Sequence, residues 1–349
     1  MIASVGSIWT LPYAHLADLS DGRGVFEHAR HADPRVEHGY CLDDVARALV
    51  VVVREPTRTP VIDQLTETYL RFVETAFDAE GRAHNRMDVS GAWTDAPTLG
   101  DWWGRGVGAL GFTAVHAAQR AHRVRAMRAF LRATRQRATD VRAMAFAALG
   151  AAEVLAARQS SRAARRLLVD ALRLLPTAAV AEWGWLEPRL RYANATLAEA
   201  LLAAGAALRE PALVASGLDA LQFLVDLETR DGHLSVTGHA GRCPEDRGPF
   251  FDQQPIEVAA LADAAVRAFA ITADPQWSRV VQRAWAWFEG DNDSGTPMVD
   301  PFTGAGFDGL EADGRNDNRG AESTLAALGT YQQARELRVV GERAIGDLR

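Results

Sequence analysis

The chain alternates long runs dominated by Ala, Leu, Val and Phe with polar stretches rich in Gly, Asp and Asn. Within the runs, apolar residues recur at three- and four-residue spacing, the period of a helix face. The two-residue alternation of strands is nearly absent. Helical patterning starts near Cys41 (CLDDVARALVVVV) and resumes over 61–77; a polar loop then covers 80–100. Asp101 opens a long helix, DWWGRGVGALGFTAVHAAQRA, and an Arg-rich helix follows to about 137. Further helices are predicted at about 140–157, 161–174, 193–208, 210–228, 255–271, 274–288, 319–332 and 335–346.

Short connections join these helices in pairs, as in αα-hairpins, and longer loops fall between pairs. The more hydrophobic helix of a pair usually comes first, which suits an inner position. Six hairpins closing into a ring give an all-α fold, an (α/α)6 toroid. A superhelical solenoid is the competing arrangement. The expectation is one domain over 1–349, with 1–40 as an irregular segment packed on the ring.

In a toroid, the loops entering the inner helices share one face. Five polar clusters fall in such loops: 38–44, 93–105, 187–194, 233–257 and 308–322. The densest is GPFFDQQPIEVA at 248–259, where Asp252, Gln253 and Gln254 stand before Pro255 and Glu257 follows inside the helix. Proline fits the first helical position because its missing N–H has no partner there in any case. Clusters in register at one end of a bundle read as the walls of one pocket.

Each candidate also has a purely structural reading. Asp43 and Asp44 suit a helix first turn, where acids complement the macrodipole; adjacent acids point about 100° apart on a helix, so one can face the pocket while the other caps. Asp101 can be an N-cap paired with Arg105. Glu257 can close a capping box with Gln254, and Glu322 can be a first-turn acid. Gly106, Gly108 and Gly111 mimic a dinucleotide fingerprint, but no strand precedes them, so close helix approach is the better reading. Trp93, Trp102, Trp103, Trp183 and Trp185 lie in or beside the loops, where flat rings suit sugar C–H faces; Trp285 and Trp287 read as packing. Glu27, His28, His31 and His38 hint weakly at zinc, and Asp291, Asp293 and Gly295 at half a calcium loop that breaks off at Thr296. No metal and no cofactor is expected.

Composition narrows the partners. A net charge of −7 argues against nucleic acid or an anionic membrane. All 38 basic residues are Arg, which excludes a Schiff-base lysine and a Walker-type phosphate loop. Cys41 and Cys243 make no disulfide framework, and the N-terminus lacks the pattern of a signal peptide, so a cytoplasmic setting is expected. No stretch has about 18 uninterrupted apolar residues, so no membrane span is expected.

The phrases HGYCLDDVARAL, LEPRLRYANATLAEALLAAG, GHLSVTGH, FDQQPIEVAAL and NRGAESTLAAL resemble those of a bacterial helical-toroid family of the six-hairpin glycosidase type. Its members occur alone or behind retaining-type glycosyltransferase modules, so the resemblance implies a toroid and a glycosyltransferase partner. It covers about 10–330. One departure is at 100–105, Gly-Asp-Trp-Trp-Gly-Arg, where a single acid, Asp101, stands in place of an expected acidic pair.

The resulting expectation is a glycoside hydrolase acting on oligo- or polysaccharide through two carboxylates. Candidate catalytic residues are Asp43, Asp44, Asp101, Glu257 and Glu322, with Asp101 favoured as acid, Asp44 or Glu322 as base, and an inverting outcome. Candidate sugar-binding residues are His38, Tyr40, Trp102, Arg105, Glu187, Tyr192, Asn194, His233, His239, Asp252, Gln253, Gln254, Asp308, Asn316 and Asn318. A sugar epimerase using His233 and His239 as bases is the alternative, as is a non-catalytic glycan-binding module.

Overall fold

The computed structural model describes residues 11–346, with side chains to Arg338. Six helices form an inner ring: α2 (Leu42–Arg54), α4 (Asp101–His116), α6 (Val141–Ala157), α8 (Ala195–Leu208), α10 (Pro255–Thr272) and α12 (Ala321–Gly346). Each packs on the next, and α12 returns onto α2. That last contact closes a toroid and rules out the open solenoid. Outside lie α3 (Pro60–Ala76), α5 (Arg120–Ala133), α7 (Arg162–Leu172), α9 (Pro211–Leu227) and α11 (Pro275–Glu289), each against the inner helix that precedes it.

The division follows from the sequence. Inner helices α6 and α8 are buried on nearly all sides and consist mostly of Ala and Leu. Outer α7 buries only Ala164, Leu167, Leu168 and Ala171, one stripe at helical spacing. Starts are marked by Pro at the first turn of α3, α9, α10 and α11, and by side-chain caps from Thr59, Asp140, Ser161 and Asp274. The α4 glycines serve close approach. A Cβ at Gly104 would lie 2.1 Å from the Ala143 carbonyl oxygen, and one at Gly111 would lie 2.4 Å from that of Gly150.

Two expectations change. The last two predicted helices are one continuous α12, because 331–335 holds neither Gly nor Pro to break it. The segment before α2 is not wholly irregular. It contains α1 (Ala14–Asp18), which packs on α12, and an antiparallel pairing of Ala29–Arg30 with Asp33–Pro34.

Loops on the face where inner helices begin are stitched together by short backbone pairings: Tyr40 with Met87, Leu190 with Arg242, and Gln253 with both Gly238 and Leu310. The opposite end is held by side chains. Arg54 of α2 meets Asp263 of α10 at 3.1 Å, and Arg267 reaches Glu153 of α6 and Glu199 of α8 at 3.0 Å each. His116 of α4 joins at Glu153 and Gln333 of α12 at Asp263, so two polar networks that meet on α10 together involve all six inner helices.

Candidate active site

The site starts at the first turn of α2. Cys41 is the N-cap: its sulfur accepts from the Asp44 N–H at 3.4 Å, and its thiol donates to Asp44 Oδ2 at 3.2 Å. One turn on, Arg47 faces three carboxylates. Its Nη1 lies 2.5 Å from Asp44 Oδ1, and its Nη2 lies 2.6 Å from Asp43 Oδ2 and 2.8 Å from Glu322 Oε2. Arg105 of α4 adds a contact to Asp43 Oδ1 at 3.0 Å, its guanidinium lying 3.8 Å over the Phe146 ring centre. Oxygens of Asp43, Asp44 and Glu322 fall within 4.8 Å of one another.

This crowding separates the two neighbouring aspartates. Burial works against ionising Asp43, but Arg47 and Arg105 outweigh it and hold its carboxyl below the usual range. Asp44 is only 3% exposed, and burial pushes it up to about 7 despite Arg47, with Glu322 and Asp43 adding repulsion. Three crowded acids face two guanidiniums, and Asp44, the most deeply buried, is the one whose ionisation is most opposed. Burial also raises the Cys41 thiol well above its ordinary range, so it serves Asp44 as a neutral donor.

Asp101 approaches from α4. Gly100 occupies the N-cap position and Asp101 the first turn, so the expected Asp101 cap is not formed. The Tyr192 hydroxyl donates to Asp101 Oδ2 at 2.5 Å. Burial raises the Asp101 carboxyl even though this hydrogen bond opposes the shift. Asp101, Trp102, Asp43, Asp44, Arg47, Glu322, Gln254 and Asp308 line one cavity of about 370 Å³, together with Glu27, His28, Cys41 and Arg86. Trp102 is anchored there by its Nε1–H to the Ala83 carbonyl at 3.1 Å.

Other predicted residues take up structural positions. Buried Glu257 makes no capping box with Gln254; it accepts from the backbone N–H groups of Ala193 and Asn194 and from Asn194 Nδ2, fixing the turn before α8. Asn194 and Tyr40 are buried, with the Tyr40 hydroxyl on Asp21. Glu187 pairs with Arg142 at 2.8 Å. Gln253 is buried between Trp287 and Asp293, and His233 also meets Asp293, which occupies the proposed half calcium loop. His239 is exposed, and neither it nor His233 is on the cavity wall. Asp252 lies against Gly309, where a Cβ would come within 1.9 Å of its Oδ1. Asn316 and Asn318 order their own loop, Asn318 Oδ1 accepting from the His31 N–H, while His38 sits beside His28 with ring centres 5.2 Å apart. Among the five loop tryptophans, Trp103 and Trp185 are core, Trp183 packs on Phe223 and Trp93 stacks on His84, which leaves Trp102 at the cavity.

The Glu27, His28, His31 and His38 set does not converge: Glu27 pairs with Arg86. Oxygens and sulfur of Glu27, Cys41 and Asp44 do approach one another, but Arg86 and Arg47 already balance their charge. Sequence reading passed over Arg47, the hub of the site. Its signal was present, since Asp43 and Arg47 stand at i,i+4 spacing.

Among the described residues, no helix is long and apolar enough to cross a membrane. No family model and no curated protein matches the chain. Among solved structures, the chain is similar to a sugar epimerase from a ruminal bacterium, with a TM-score of 0.70 and 11% identity over 93% of this chain and 95% of that one. A cellobiose 2-epimerase from Bacillus thermoamylovorans gives a TM-score of 0.70 and 12% identity over 93% and 96%. A cellulase of C. cellulolyticum in complex with cellobiose gives 0.64 and 10% over 90% and 88%. At such identities the likeness concerns the fold, and the fold these proteins share with this chain is the (α/α)6 toroid.

Proposed function

We propose that the protein is a carbohydrate-active enzyme, a glycoside hydrolase in which Asp101 donates the proton and Glu322 activates water. One observation carries the reading: two acids from different inner helices, Asp101 of α4 and Glu322 of α12, line a single cavity on either side of α2. Burial biases Asp101 toward its protonated form, as a general acid requires. Glu322 has an accessible side chain, 42% exposed, and pairs with the Arg47 guanidinium at 2.8 Å. Asp43, Asp44 and Glu322 are bound together by the Arg47 guanidinium, whereas Asp101 stands outside that cluster with Tyr192 as its partner. The acid–base pair is therefore drawn across the cavity, to Asp101. Trp102, Gln254 and Asp308 supply a flat ring and polar groups for the sugar.

The similar epimerases keep a second reading open, with His28 as the histidine on the cavity wall. The test is reducing-sugar release from α- and β-linked manno- and gluco-oligosaccharides, with products followed in D2O. Release abolished in Asp101→Asn and Glu322→Gln supports the hydrolase. Deuterium entering the sugar carbon skeleton, with chain length unchanged, replaces it with an epimerase. Glycan binding without either reaction leaves a binding module serving a glycosyltransferase.

A further inference from the structure

Beneath the site runs a second cavity, along the ring axis. It measures about 200 Å³, and its walls combine the apolar Val50, Phe112, Leu149, Ile256 and Leu325 with the charged Arg105, Glu153 and Glu199. Arg47 and Glu322 line both cavities, so their ion pair is the boundary between the lumen and the acids. Its floor is made by Arg54, Asp263 and Arg267, whose charges are already paired and offer none to a polar guest. Protein interiors are close-packed, with few voids larger than a water molecule, and an apolar cavity of about 150 Å³ stays dry and takes a benzene-sized guest.

Of the glycines lining this lumen, Gly108 and Gly150 serve helix contact, a Cβ on them coming within 2.9 Å of the Phe146 oxygen and 2.6 Å of the Val107 oxygen, whereas Gly329 does not. A Cβ at Gly329 would meet nothing nearer than 3.9 Å, whereas one at Gly104 or Gly111 would strike a carbonyl oxygen. Gly329 and Ala260 thus leave space that larger residues would fill.

We propose that this lumen receives an apolar group carried by the sugar, an alkyl chain or an aryl ring, so that the substrate is a glycoside with an apolar tail. This rests on the glycan reading of the upper cavity. The sugar occupies the acid-lined cavity, and the tail passes Glu322 into the lumen.

The experiment is calorimetric titration with methyl, butyl and hexyl 1-thioglucosides and 1-thiomannosides, alongside butanol and hexanol. Wild type is compared with Gly329→Leu and Ala260→Leu, each verified as folded by circular dichroism. Thioglycoside affinity is expected to rise toward about fourfold per methylene, and the rise is expected to flatten in both variants. A hexyl thioglycoside that binds no tighter than the methyl one overturns the proposal, as does a chain-length dependence intact in both variants. Alkanols binding as tightly as the matching thioglycosides, with the same loss in the variants, overturn the glycan reading and with it the assignment of the tail to a sugar.

Discussion

Arg47 on the first inner helix lies 2.8 Å from Glu322 on the last, so the seam where the toroid closes is also where the candidate site is built. The same guanidinium serves Asp43 and Asp44. Arg47 therefore ties the closing seam to the site's electrostatics, alongside Gln332 of α12, which donates to the Val51 carbonyl of α2 at 2.8 Å.

Replacing Arg47 with Met leaves three crowded acids without their shared cation. Breaking a buried ion pair by removing one partner costs about 3–5 kcal/mol, and that loss is expected in urea unfolding of Arg47→Met. Arg47→Lys should recover only part of it, because a point charge cannot reach three carboxylates as a fork does. Unchanged stability in both variants would remove Arg47 from its role as hub.

Asp101→Asn and Glu322→Gln should each lower turnover by about 10²–10⁴-fold, the usual worth of a positioned acid or base. Their folds should survive, since both side chains are partly exposed. Tyr192→Phe removes the hydroxyl that holds Asp101 and opposes the rise of its carboxyl, so the alkaline limb of the pH–rate profile, set by the general acid, should move to higher pH while the enzyme stays active. A profile that does not move would mean that Tyr192 does not tune the acid.

Glu228, away from the cavity, gives a test of linkage. It is fully buried and accepts from the Thr237 N–H at 2.8 Å, and burial pushes its carboxyl from 4.5 up to about 7. The unfolded chain releases this proton near the lower value and the folded chain near the higher one. Folding stability is therefore lost as pH rises through that window, by about 3 kcal/mol in all. Glu228→Gln keeps an acceptor oxygen and lacks the titration, so it should gain on wild type between pH 5 and pH 8. Parallel stability curves for the two proteins would contradict the assignment.

Gly104→Ala drives a methyl group to 2.1 Å from the Ala143 carbonyl oxygen, so α4 and α6 must separate. Overpacking of this kind costs about 1–3 kcal/mol. Gly22→Ala is the control, with nothing within 4 Å of its added Cβ. Equal unfolding midpoints for the two variants would show that the α4–α6 contact tolerates a methyl group.

The first five helix pairs and the inner–outer division were legible in the chain because they are written in local periodicity and in Pro and cap residues. Asp43, Asp44, Asp101 and Glu322 were legible as acids at inner-helix starts for the same reason. Local sequence could not rank them, and tertiary contacts do: α12 carries Glu322 to Arg47, Arg105 crosses to Asp43, and burial sets Asp44 apart from Asp43. Glu257 shows the limit. A first-turn acid after an amide reads as a cap or a catalyst, yet its partners are Ala193 and Asn194, more than sixty residues away in the chain. The continuity of α12 and the open lumen at Gly329 likewise depend on what packs around them. Local sequence determines which elements form, while burial and charge at a site depend on groups distant in the chain, which only the closed ring brings together.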